Sequence, residues 1–301
     1  MIPTKPTKLR QGEKIGVIAP AGPVLQTELQ DGIDLLESFG YEIVLSRHLF
    51  DRQGYLAGED NARLEDLHTM FTDPSVKTVF CARGGYGTLR ILDRIDYDIL
   101  RSNPKIVVGY SDITALLLAI HKETGLVTFH GPVMKELNQR NIGNLEACLN
   151  LVSHERSPEL ELAGGRPLKP GKATGRLLGG NLSLICHLIG SPYMPSLKGA
   201  ILFIEEKGED PYRIDRLLTH LRLGGVLAQV AGLIAGAFEE CGDRAEIDRL
   251  LLDTVSGLNI PVLTGLPIGH GLINVTLPIG LPATIDSETM TLKIQESCVT
   301  P

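Results

Sequence analysis

The sequence predicts an α/β protein in two units: an amino-terminal open parallel-sheet domain over residues 1–150, and a carboxy-terminal α/β domain with antiparallel strands over 173–301. Three observations carry this. From residue 14 onward, short apolar runs rich in β-branched residues alternate with longer runs of helical period, the pattern of a parallel sheet covered on both faces. Between 151 and 172 the texture changes to "VSHERSPELELAGGRPLKPGK", rich in Gly, Pro and charge, which reads as a linker. The end of the chain, "INVTLPIGLPATIDSETMTLKIQ", alternates and is broken by Pro and Gly, which suits antiparallel strands.

In order, "KIGVIAP" reads as a strand and "TELQDGIDLLESFG" as a helix, with Leu29, Ile33 and Leu36 at helical spacing and Gly40 as its stop. "YEIVLS" is the second strand, "ARLEDLHTMFTDP" a helix, and "VKTVFCARGG" a strand that breaks at glycines. "TLRILDRIDYDILRSNP" reads as helical up to its proline, "KIVVGY" as a strand and "ITALLLAIHKETG" as a helix. Beyond the linker, "RLLGGNLSLICHLIGSP" reads as a Gly-rich turn opening a helix, "GAILFIEE" as a strand ending in two acids, and "PYRIDRLLTHLRLGGVL" as an amphipathic helix. "VAGLIAGAFEEC" and "IPVLTGLPIGHG" are buried strands on either side of the helix "AEIDRLLLDTVSGL".

At 301 residues, 43% hydrophobic and 22% charged, the chain has the balance of a soluble globular protein. Its net charge of −7 and 5% aromatic content offer neither the basic footprint nor the stacking surfaces of a nucleic-acid binder. Cys81, Cys148, Cys186, Cys241 and Cys298 are far apart and form no C-x-x-C pair, so they read as reduced, mostly buried thiols. No signal-peptide pattern or membrane-spanning apolar run is present, which makes the cytoplasm the expected compartment.

The chemistry centres on "KIVVGYSDITALLLAI". In an open α/β sheet, reactive groups gather where strands end and helices begin, and Ser111 lies there. A serine on a sharp strand-to-helix turn faces the N–H groups and positive dipole end of the new helix, as at a nucleophile elbow. "GYSDI" departs from G-x-S-x-G at Ile113, and a helix N-cap is the ordinary use of Ser111 or Asp112 at such a boundary.

A hydroxyl nucleophile needs a base, usually a histidine oriented by a carboxylate. His68, His121, His154 and His220 fall among charged residues on helical stretches and read as solvated, and His187 follows an apolar helical period. His270 in "GLPIGHG" follows a buried strand between glycines, as a strand-end catalytic histidine would. His130 in "TFHGP" is its rival. Glu205 and Glu206 end an apolar strand, and strand alternation lets only one of them face a shared cleft; two solvated loop acids is the competing reading. "ARGGYG", residues 82–87, lacks the Lys-Ser/Thr of a P-loop and the spacing of a dinucleotide fingerprint, but its glycine turn can present a backbone N–H to an oxyanion.

Taken together, "ARGGYG", "GYSDIT", "GRLLGGNLSLICHLIGSPYMP", "ILFIEEKGEDPYRIDRLLTHL" and "GLPIGHG" resemble, in order and approximate spacing, the serine peptidase family that contains the bacterial LD-carboxypeptidases (muramoyltetrapeptide carboxypeptidases) and the microcin C immunity peptidases. The resemblance covers nearly the whole chain. It implies a Ser–Glu–His triad of Ser111, Glu205 and His270, and an oxyanion hole of the backbone N–H groups of Asp112 and Gly85, with the Asp112 side chain free to cap the helix. It implies an active site in the cleft between the two domains, no cofactor or metal, and a homodimer. The sequence shows no H-E-x-x-H or comparable ligand cluster.

The LD-carboxypeptidase branch releases the terminal D-Ala of murein tetrapeptide during peptidoglycan recycling, so a murein peptide is the expected substrate. Its free carboxylate calls for a cation or further N–H donors; Arg83, beside the oxyanion loop, is the candidate, while Arg213 and Arg216 are equally suited to a structural role. The microcin branch cleaves aminoacyl–nucleotide amides and resembles enzymes that stack the base on tryptophan. This chain has no Trp, though Tyr86, Tyr110 or Tyr212 could offer a stacking surface. The competing classes are a non-catalytic peptide-binding protein, which would dispense with a triad residue, and an ordinary α/β-hydrolase esterase, which would carry G-x-S-x-G in one domain.

Overall fold

The computed structural model describes residues 2–161 and 164–301. The first unit is built from β1 (Lys14–Ile18), α1 (Gln26–Ser38), β2 (Glu42–Leu45), α2 (Asp60–Thr72), β3 (Val76–Cys81), α3 (Tyr97–Ser102), β4 (Ile106–Gly109), α4 (Ile113–Thr124), β5 (Thr128–His130) and α5 (Ile142–Ser153). The second contains β6 (Glu159–Glu161), β7 (Arg166–Lys169), β8 (Lys172–Asn181), α6 (Leu182–Leu188), β9 (Ile201–Lys207), α7 (Pro211–Leu223), β10 (Gly232–Glu239), α8 (Arg244–Thr254), β11 (Val262–Thr264), β13 (Pro282–Asp286) and β14 (Thr291–Ile294), while β12 (Leu277–Ile279) joins the sheet of the first.

The first sheet has the order β12-β5-β4-β3-β1-β2, parallel throughout except at β12. Val107 and Val108 of β4 and Val79 and Phe80 of β3 are fully buried, as strands covered on both faces must be. β12 comes from the carboxy-terminal part of the chain and pairs Leu277 with His130; as an edge strand it accommodates Pro278, which has no N–H for a ladder bond. The chain end returns as well, where the Lys8 N–H donates to the Thr300 carbonyl at 2.9 Å.

The second sheet has the order β6-β14-β13-β8-β9-β10-β11-β7. Its centre, β8 to β11, is parallel, and β13, β14, β6 and β7 flank it antiparallel. β6 and β7, which form the two edges, both lie in the stretch expected as a linker. That stretch is charged and short of apolar residues because edge strands face water on one side. Residues 162–163 between them lie outside the described part.

Two further expectations differ. "RLLGG" is the inner half of β8 rather than a turn: Gly179 and Gly180 have φ of 157° and 142°, a region that favours glycine, and a Cβ at Gly180 would press into Thr114 of α4. Gly180 thus lets the second sheet touch the first unit's central helix, while a Cβ on Gly179 would meet the Phe203 backbone of the neighbouring strand β9. "TLRILDRIDYDILRSNP" is two short 3₁₀ turns, Thr88–Arg90 and Leu92–Arg94, followed by α3, whose N-cap Asp96 accepts from the N–H groups of Asp98 and Ile99.

α4 is apolar around most of its circumference and correspondingly buried, from Ile113 to His121 and at Thr124. Gly125 ends it in the left-handed conformation at φ 77°. It packs against both β5 and, across the junction, β8 and α6. The helix that begins just after Ser111 is therefore the element that joins the two units.

Candidate active site

The carboxyl edge of the first sheet brings three segments together: the loop after β1, the glycine loop after β3, and the turn after β4. The Gly22 N–H donates to the Gly84 carbonyl at 3.1 Å, which joins the first two. Gly84 meets the third, since a Cβ there would stand 2.7 Å from the Ser111 Cβ and 2.8 Å from its Oγ.

Ser111 itself has φ of 64°, a left-handed conformation that costs a non-glycine residue about 1–3 kcal/mol. An N-cap residue has extended backbone, so Ser111 does not cap α4. Its carbonyl accepts the Thr114 N–H at 2.9 Å, and its half-buried side chain is lifted off the helix toward Gly84. Asp112 occupies the cap position, but its side chain does not cap. Its carboxylate instead accepts from the Thr88 N–H at 2.9 Å and lies 2.9 Å from the Thr88 hydroxyl. That bond ties the turn that carries Ser111 to the glycine loop, and nothing in the local sequence marked Thr88 for the task. The Asp112 backbone N lies 3.4 Å from a Cβ placed on Gly84. Gly85, exposed, packs on Gly22.

His270 Nδ1 and Glu205 Oε2 are 2.6 Å apart. Glu205 is fully buried at the end of β9; burial pushes its pKa up against the opposing pull of the His270 hydrogen bond and charge. Burial by itself would lower the pKa of His270, but the hydrogen bond and charge of Glu205, with Glu136 adding to them, outweigh it and hold His270 above its usual 6.5. Glu206 points the other way, as alternation requires: it accepts from Asn181 Nδ2 at 2.7 Å and from the Ser183 N–H at 2.9 Å, at the start of α6.

The His270 loop is closed by residues that sequence reasoning passed over. Gly269 has φ of 96°, and a Cβ on it would overlap the Glu205 carboxylate. Its N–H donates to Asn274 Oδ1 at 2.9 Å. Asn144, buried on α5 of the first unit, donates to the Leu272 carbonyl at 3.0 Å and accepts from the Asn274 N–H at 3.1 Å. An imidazole carried by the second unit is thus held by an amide from the first.

Tyr110, the residue before Ser111, stacks its ring at a tilt against His270 with centroids 4.7 Å apart, so the turn after β4 and the His270 loop meet. The Tyr110 hydroxyl donates to Glu136 Oε1 at 2.5 Å. His130, the rival base, is fully buried among Tyr110 and Phe203 without a hydrogen-bond partner, and burial drives its pKa down to about 3. It stays neutral and closed off from solvent. His121, expected in solvent, is buried and bonded to the Leu126 carbonyl, whereas His187, expected in the core, is exposed.

Arg83 is half-buried and donates to the Pro23 carbonyl at 3.1 Å. Tyr86 is exposed and meets Tyr55 edge to face at 5.4 Å. Arg213 and Arg216 both lie over the exposed Tyr212 ring. Among the described residues no group of three His, Cys, Asp or Glu could hold a metal ion, and no helix is long and apolar enough to cross a membrane.

An α/β scaffold with a serine on a strained strand-to-helix turn and an imidazole oriented by a buried carboxylate has the equipment of a serine hydrolase. The particular kind follows from comparison: residues 15–131 match the LD-carboxypeptidase N-terminal domain and residues 174–285 the LD-carboxypeptidase C-terminal domain, and the chain belongs to this family of S66 peptidases. It is 40% identical over 300 residues to the probable murein peptide carboxypeptidase of Bacillus subtilis, covering 97% of this chain and 94% of the relative. The muramoyltetrapeptide carboxypeptidase of Oxalobacter formigenes superposes with a TM-score of 0.83 at 34% identity, over 95% of this chain and all of the other. The structure of MccF in complex with glutamyl sulfamoyl guanosine superposes with a TM-score of 0.91 at 26% identity, over 99% of this chain and all of the other.

Proposed function

We propose that the protein is a serine carboxypeptidase that cleaves the LD-peptide bond releasing the terminal D-Ala of murein tetrapeptide, with Ser111 as nucleophile, His270 as general base and Glu205 as its orienting carboxylate. The observation that carries this is the Glu205–His270 bond, formed where the units meet and beside the turn that holds Ser111 in its left-handed conformation. His270 Nδ1 is engaged by Glu205, which leaves Nε2 to take the Ser111 proton as its Oγ attacks the carbonyl. The N–H groups of Asp112 and Gly85 receive the oxyanion; removing one such donor costs about 2.7–4 kcal/mol of transition-state stabilisation. His270 then protonates the departing amine, and water, activated by the same base, releases the acyl-enzyme. Arg83 and Tyr86 belong to the substrate's surroundings in this reading.

We also take 1–150 and 173–301 as the two domains and the protein as a cytoplasmic homodimer acting in peptidoglycan recycling. The compartment is supported by five cysteines that are all free and buried. The dimer rests on the family resemblance and is checked by sedimentation.

The test is mass spectrometry of L-Ala-γ-D-Glu-meso-diaminopimelyl-D-Ala after incubation with wild type and Ser111→Ala. Loss of one D-Ala with wild type alone is the expected result; no cleavage by either ends the reading. The close superposition on MccF favours a second reading, hydrolysis of an aminoacyl–nucleotide amide, against which stands the lack of tryptophan in the chain.

A further inference from the structure

Of three carboxylates, Glu205 and Glu206 at the carboxyl end of β9 and Glu136 in the turn that follows β5, two are accounted for. Glu205 is buried on the imidazole and Glu206 is buried at the start of α6. The third, Glu136, ends the 3₁₀ turn Met134–Glu136 that follows β5, on the same carboxyl edge as Ser111 and the glycine loop. One of its oxygens accepts the Tyr110 hydroxyl at 2.5 Å, and the ring of Tyr110 rests on His270.

Glu136 differs from the other two in being open to solvent, although the walls around it crowd it enough to raise its pKa. The nearby cations have other partners: Lys135 pairs with Glu28 at 2.5 Å and Lys207 with Glu240 at 3.6 Å. Among the described residues no cation forms an ion pair with Glu136, and its second oxygen receives no hydrogen bond. A carboxylate held on one oxygen by a tyrosine and open on the other, beside the base, is arranged to meet a donor that arrives with the substrate.

We propose that Glu136 is the subsite for an ammonium group on the side chain of the substrate residue whose carbonyl is attacked. The inference rests on the peptidase reading, which also decides the side. The leaving residue of a carboxypeptidase substrate ends in a carboxylate, which Glu136 would repel, so the acid faces the acyl part of the peptide. When the peptide fills the cleft and displaces water, the charge-assisted bond strengthens, because the local dielectric falls.

The experiment compares L-Ala-γ-D-Glu-L-Lys-D-Ala with the same peptide acetylated on the lysine side chain. Wild type should favour the free amine by about tenfold to a hundredfold in kcat/KM, the range of hydrogen bonds to charged groups. Glu136→Gln, which keeps an acceptor for Tyr110, should bring that ratio close to one. Equal losses on both peptides would make Glu136 a support for Tyr110 and His270 alone and would overturn the proposal. Equilibrium binding of both peptides to Ser111→Ala and to Ser111→Ala/Glu136→Gln separates recognition from reaction. A Glu136-dependent preference in binding with no turnover by wild type sinks the peptidase reading and keeps the ammonium subsite. No such preference in either binding or turnover sinks the subsite.

Discussion

His270 Nδ1 lies 2.6 Å from Glu205 Oε2, although the two residues are 65 positions apart in the chain. Glu205 sits at the carboxyl end of a buried parallel strand, and the imidazole comes to it on a loop in which Gly269 leaves no room for a Cβ beside the carboxylate. An imidazole oriented by a carboxylate at the edge of a sheet is what a general base requires.

With Ser111 as nucleophile, Ser111→Ala should lower turnover by several orders of magnitude, on the order of 10⁶ by analogy with subtilisin. Steady-state kinetics on the tetrapeptide check this. More than about a tenth of wild-type activity in the variant would remove Ser111 from the mechanism. Alanine keeps the Cβ that strains the positive φ of 64°, so the substitution should leave stability close to that of wild type.

In the proposed role of general base, His270 accepts a proton only when neutral, and its pKa is held above the usual 6.5, with burial opposed and outweighed by Glu205. The acidic limb of the kcat/KM profile should therefore fall above pH 6.5, activity rising as His270 loses its proton. In Glu205→Gln the limb should move to lower pH while the plateau drops, since the carboxylate that favours the imidazolium is gone. A limb that stays in place would mean that another group titrates there.

Asn144→Ala removes both bonds from α5 to the His270 loop. We expect kcat to fall by up to about a hundredfold, the scale of a misplacement near 1 Å, with KM changed much less and the NMR titration of His270 shifted toward its free value. A fall in thermal stability with normal kcat and an unshifted titration would reduce Asn144 to a structural bond.

His130 is buried, neutral and unpartnered, with its pKa driven by burial down to about 3. Unfolding frees it to bind a proton near pH 6.5, so its neutral burial contributes stability that is complete above pH 6.5 and is lost progressively as pH falls toward 3. Tyr110, Phe203 and, more distantly, His270 are the groups that face it. His130→Phe should flatten the loss of unfolding free energy between pH 6.5 and 3, read from denaturant melts at several pH values. An unchanged slope would show that His130 takes no part in it.

Gly269→Ala should abolish activity and destabilise the protein by more than about 1 kcal/mol, because the backbone is left-handed at φ 96° and the added methyl meets the Glu205 carboxylate. A variant with wild-type kinetics would show that the loop can carry His270 by another path.

Local periodicity was enough to read the parallel strands of the first unit and the boundary at which Ser111 lies, because fully buried strands and the helices between them differ in length and composition. The same logic found Glu205 and His270 as polar residues ending apolar strands. It failed at "RLLGGN", where glycines that permit close approach to Phe203 and Thr114 look like turn residues, and at residues 159–161 and 166–169, where edge strands look like a linker. It also passed over Glu136, which closes a 3₁₀ turn beyond the three-residue β5, so no strand end marks it.

By itself, then, the sequence determined the fold class, the strand ends and the residue types available for catalysis, all of which follow from patterns within some twenty residues. Only the tertiary structure decided which of these groups meet. The proposal of His270 rather than His130 as base rests on one being bonded to Glu205 and the other buried in the core. The union of Asp112 with Thr88, and of Asn144 with the His270 loop, spans 24 and 128 positions. Hydrogen bonds across such distances leave no local signature, since they are set by how the two sheets pack around α4 rather than by the chain on either side of each residue.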